Sequence, residues 1–142
     1  MADNIIFQAM DNDFVEPFPL DDVESAIRNA DSLALAGVYH FNIHLGRCSS
    51  DSPRGFFAYI AGHGFLVSLR TAPDSNHCAV LNHDFDDRVE FSAGQYELIV
   101  PIGMLIPTDT AVQCARIFCD SVSLAESIAW VRYEDLGFEL YA

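Results

Sequence analysis

The sequence predicts an α+β domain: an antiparallel sheet of about five to seven strands, with an N-terminal and a C-terminal helix packed on it. Three observations carry this reading. Between residues 38 and 100 apolar side chains recur with a period of two, the repeat of a strand with one buried face. Apolar residues at helical spacing occur near the two flanks, at 21–31 and 109–121. The 142 residues suit one domain, 1–142, and a hydrophobic fraction of 51% with eleven Phe is enough for a substantial core.

The elements follow in order. Residues 1–19 read as an irregular segment, with Phe14, Phe18, Pro17 and Pro19 ahead of a helix start. Asp21 followed by Glu24 has the spacing of a capping box, and Val23, Ala26, Ile27 and Ala30 give the helix over 21–31 its apolar face. From 38 to 45, Tyr39, Phe41, Ile43 and Leu45 share one strand face, and His40, Asn42 and His44 the other. A polar stretch, Arg47 to Arg54, separates this strand from the hairpin of 56–61 and 65–70 around Gly62-His63-Gly64. A turn at 73–76, a strand near 77–82, an acidic turn at 83–87 and strands at 88–91 and 95–100 come next. Pro107 opens the second helix, with Thr108 or Asp109 available to cap it and Ala111, Ala115, Phe118 and Val122 along its stripe. Residues 128–131 read as a last strand.

Charge bounds the function. Asp and Glu number 21 against seven Arg and no Lys, a net charge of −14. Such a surface repels nucleic acid and anionic membranes and attracts basic partners over roughly 8–10 Å at ordinary salt. With no Lys and dispersed Arg, nothing can neutralise a run of phosphates, so nucleic-acid binding is excluded. No apolar run approaches the ~20 residues of a membrane span. The first ten residues, MADNIIFQAM, lack the basic flank of a signal peptide, and a cytosolic protein is expected.

Catalytic and metal motifs are missing. There is no GxSxG, Walker loop, GxGxxG or HExxH. His40 and His44 lie about 13 Å apart along one strand, too far for one ion, and are expected to be surface residues. The four Cys, at 48, 78, 114 and 119, form no CxxC pair and are expected to be buried reduced thiols. Asp84, Asp86 and Asp87 lack the Gly and terminal Glu of a calcium loop. No enzyme, metal or cofactor is expected.

The C-terminal third carries a resemblance. Tyr96-Glu97-Leu98-Ile99-Val100-Pro101 leads to Leu105-Ile106-Pro107, then Ala111, Ala115 and Phe118, and Leu124, Ile128, Ala129 and Trp130 close the run. Over roughly 95–131 this resembles the closing signature of the first immunity-protein family of bacterial polymorphic toxin systems. There a strand runs into an "IP" helix start, and an A-x-x-A-x-x-F face precedes a strand bearing a Trp. A glycine turn and a Pro often precede that last strand in the family. Ser121-Val122-Ser123 stands here instead, and a variable tail, 133–142, runs past the signature.

The resemblance implies an antitoxin that binds one cognate basic toxin domain, a nucleic-acid deaminase or nuclease, and covers its active site without a cofactor. Segments 48–55 and 82–88 are then expected to present Asp51, Asp84, Asp86 and Asp87 to the basic cleft. Phe85 is either an apolar anchor between them or a core residue under the turn. Tyr133, Glu134 and Asp135 form a second candidate surface. An acidic adaptor and a small-ligand-binding domain are the alternatives.

Overall fold

The computed structural model describes residues 5–9, 20–33, 38–45, 53–73, 75–82, 86–93 and 96–135. In chain order these form β1 (Ile5–Ala9), α1 (Leu20–Arg28), the single turn α2 (Ala30–Leu33), β2 (Val38–Leu45), β3 (Arg54–Ile60), β4 (Gly64–Ala72) and β5 (Ser75–Val80). The chain continues through β6 (Arg88–Ala93), β7 (Tyr96–Pro101), a 3-10 turn (Ile102–Met104), β8 (Leu105–Ile106), α3 (Thr108–Ser121), β9 (Ala129–Arg132) and a second 3-10 turn (Tyr133–Asp135).

Every described strand pair is antiparallel. The main sheet runs β1-β2-β3-β4-β5-β9, with the short β8 paired to the first residues of β4. The fold class is therefore α+β, as the periodicity predicts. Two features differ from expectation. Ile5–Ala9 is a strand, because pairing with β2 supplies hydrogen bonds that its own sequence does not advertise. Strands β6 and β7 leave the main sheet and form a two-stranded ribbon of their own.

Alternation along the strands divides the core in two. Phe41, Ile43, Phe57, Phe65, Val67, Leu69 and Ala79 meet Val23 and Ile27 of α1 and Ala111, Ala115 and Phe118 of α3. Phe41 and Phe57 oppose each other in register and stack at 5.2 Å between centroids, and Tyr59 meets its register partner Phe65 at 5.0 Å. Cross-strand aromatic pairs of this kind contribute about 0.5–1.5 kcal/mol beyond the area they bury. On the opposite face Ala58, Ile60, Leu66 and Cys78 pack with Val100, Met104 and Leu105, joined by half-buried Val89 and Val131. The helices thus cover one face of the sheet, and the ribbon and its 3-10 turn cover part of the other.

This second cover overturns the expectation of surface histidines. His40 and His44 are buried, at 4% and 5% exposure, because β6 lies against β2 on the face that reads as polar. Burial pushes the His44 pKa below the ordinary histidine value, and the Arg54 and Arg70 guanidiniums act in the same direction.

The helix ends also differ in detail. Helix α1 begins at Leu20, and Glu24 does not close a capping box with Asp21; it accepts hydrogen bonds from Arg28 and Arg116. Pro107 stands at the N-cap of α3 with no side-chain cap bond, and its carbonyl accepts from the Ala111 N–H at 2.9 Å. At the other end Val122 caps α3 in the left-handed conformation, φ +53°, donating its N–H to Phe118 O at 2.9 Å. A β-branched residue is strained there, and glycine is not. Val122→Gly is expected to raise stability by about 1 kcal/mol, read as an increased urea midpoint at constant slope.

Trp130 on β9 packs on the helix-side cluster and donates its indole N–H to Ala125 O at 2.9 Å, tying the α3–β9 connection to the sheet edge. The signature positions Ala111, Ala115, Phe118 and Trp130 thus all serve packing.

Candidate functional site

The charge is laid on the outside. Every Asp and Glu whose side chain is described is exposed, except the half-buried Glu24. Around the helices the arginines are already engaged: Arg28 bridges Glu24 and Asp109, and Arg116 bridges Glu24 and Asp21. These two hydrogen bonds, from Arg28 first and Arg116 second, lower the Glu24 pKa below the usual carboxylate range. Arg28 and Arg116 are about half exposed, so solvent screens these pairs and each adds little to stability. The buried stripe of Val23 and Ile27 does more to hold α1 in place.

A second group of basic side chains lies across the other face. His44 is the register partner of Arg54, and Arg54 is the register partner of Arg70, forming one row over β2, β3 and β4. Two of the seven arginines are thus gathered at one end of the sheet. The sequence gives no sign of this row, because its members are 10 and 16 residues apart and only register aligns them.

The expected contact residues fall at two ends. Asp51, Asp84 and Phe85 lie outside the described residues. Of segment 48–55, Pro53, Arg54 and Gly55 are described, at the end of the sheet where β3 begins. Tyr133, Glu134 and Asp135 leave β9 at this same end, since Arg132 pairs with His77 and Arg70 with Asn76. Tyr133 is half-buried against the second core cluster, Glu134 is paired with Arg132, and Asp135 is exposed. Asp86 and Asp87 are exposed at the opposite end, just before β6. Strand β5 separates the two ends by about 16 Å at roughly 3.3 Å per residue. The described parts of the two segments, Pro53–Gly55 and Asp86–Arg88, thus stand at opposite ends of the sheet.

The three described thiols are buried and held protonated. Cys78, Cys114 and Cys119 are free and buried, as expected, and Cys48 lies outside the described residues. Burial pushes the Cys78 thiol up to about 11 and those of Cys114 and Cys119 up to about 12. The folded state thus keeps three protons that the unfolded chain releases near pH 9. Their contribution to stability is complete below pH 9 and is lost as pH rises toward 11–12. The urea midpoint is expected to fall steeply above pH 9, and replacing Cys114 and Cys119 with alanine should flatten that fall.

Among the described residues no three His, Cys, Asp or Glu side chains are grouped to hold a metal ion. None of the described helices is long and apolar enough to cross a membrane. No model of a known protein family matches the chain, and no curated protein matches it significantly.

Proposed function

We propose that this chain is an immunity protein: a non-catalytic cytosolic inhibitor that binds one basic toxin domain and covers its active site. The reading is carried by the placement of the acids. The described carboxylates lie on the surface of a two-sided core, and the helix-layer arginines are absorbed in local pairs, so the outward field stays negative. Such a field accelerates encounter with a basic cleft and disfavours acidic partners. A toxin acting on nucleic acid presents such a cleft, because it must attract phosphates. The resemblance over 95–131 points to a deaminase or nuclease as that toxin. No metal or cofactor enters this reading.

Co-expression with the product of the adjacent reading frame, on this reading a basic toxin domain, tests it. Relief of lethality and recovery of a one-to-one complex are expected. An unrelieved toxin that forms no complex overturns the reading.

A further inference from the structure

Where β5 ends, backbone hydrogen bonds tie three separate segments together. The N–H groups of Leu81 and Asn82 both donate to Gly103 O, at 2.7 and 3.2 Å. The Ile102 N–H donates to Asp87 O at 2.8 Å, carrying the β6–β7 ladder one step past Pro101. Gly103 and Met104 are buried in the 3-10 turn. Successive residues of such a turn point about 120° apart, so burying these two sends Ile102 outward. Leu81 is 55% exposed and Ile102 39%. Both belong to this junction, whereas the third large exposed apolar residue among the described ones, Val122, is accounted for by its place as the cap of α3.

Acidic residues adjoin the junction along the chain. Asp86 and Asp87 are exposed within it, and Glu90 is exposed two residues into β6. Arg88 is the single arginine of 81–90.

We propose that Leu81 and Ile102 are the apolar anchor by which this protein holds a basic protein partner, with Asp86, Asp87 and Glu90 steering that partner onto them. The inference rests on the inhibitor reading and names its contact surface. Two exposed aliphatic side chains on a hydrogen-bonded backbone require little backbone ordering on binding, which favours a lasting contact. The carboxylates around them set the partner's sign. A second copy of the chain would bring the same acids face to face, and an anionic lipid surface would be repelled. A basic protein with an apolar side chain among its cations satisfies both elements.

The test measures binding of the purified basic toxin domain to the full chain and its variants. Leu81→Ala and Ile102→Ala are each expected to weaken binding about tenfold, mainly through faster dissociation. Leu81→Arg should weaken it on the order of a hundredfold, since it adds repulsion. Val122→Ala, away from the junction, should change little. Asp86→Asn with Asp87→Asn should slow association at low salt and leave dissociation nearly unchanged. The methyl NMR signals of Leu81 and Ile102 in the unmutated chain should shift on complex formation, independently of any variant's folding. If the toxin binds while those signals stay fixed and the Leu81 and Ile102 variants bind normally, this inference is wrong and the inhibitor reading stands. If the unmutated chain does not bind at all, both fall.

Discussion

Replacing Phe118 with alanine is expected to cost about 3–5 kcal/mol, a large part of a small domain's stability. Phe118 is fully buried on the sheet-facing side of α3. Its ring packs over Gly55: a Cβ at position 55 would stand in ordinary contact with it at 3.5 Å, while Phe57 at 3.1 Å and Leu69 at 2.9 Å fill the space beside that glycine. The surrounding groups are a strand backbone and two further buried side chains, so the site cannot collapse easily and most of the cavity would remain. The urea midpoint should fall sharply with an unchanged slope. A loss below about 1 kcal/mol would mean that α3 does not press on the sheet at this point. Ile117, half-buried on the same helix, is the control, and its alanine variant should lose much less.

Gly64→Ala is expected to be comparably damaging, at about 3 kcal/mol. Gly64 opens β4 with φ +121°, a conformation that side chains rarely adopt. Space is also lacking, because a Cβ there would stand 2.6 Å from the backbone oxygen of Ile106. That oxygen belongs to β8, which pairs with β4 at Phe65 and Leu66. Relief of the clash must therefore move β8, and with it Pro107 and the start of α3. Gly62, also at positive φ but with open space around it, should lose less when changed to alanine. Comparing the two variants by urea denaturation separates the cost of the close approach from that of the backbone angle. Equal losses would show that β8 is not held tightly against β4.

Much of this fold is legible in the sequence, and the rest has identifiable physical reasons for being hidden. The alternation of 38–45, the glycines flanking His63 and the stripe of Ala111, Ala115 and Phe118 each encode their element locally. Strand β1 is not encoded that way, since Ile5–Ala9 owes its conformation to pairing with β2. Periodicity also cannot say which sheet a strand joins. The split of β6 and β7 from the main sheet is therefore hidden in the sequence, and so is the burial of His40 and His44 on the β6 side of β2.

The surface is less legible than the core. Asp86 and Asp87 announce themselves as an acidic turn, and the structure exposes them. Leu81 reads as part of a strand over 77–82, yet β5 stops at Val80 and leaves it outside. Ile102 lies between the strand of 95–100 and the Ile106-Pro107 helix start, where the sequence assigns no element, and only the 3-10 turn shows that it points outward. Exposed apolar residues share their composition with the core, and tertiary contacts alone separate the two.

The most direct measurement is a titration of the basic toxin domain's own activity with the purified chain. The predicted result is complete loss of activity at one equivalent, with an association rate that falls as salt is raised. Full activity persisting in the presence of excess protein at low salt would contradict the inhibitor reading.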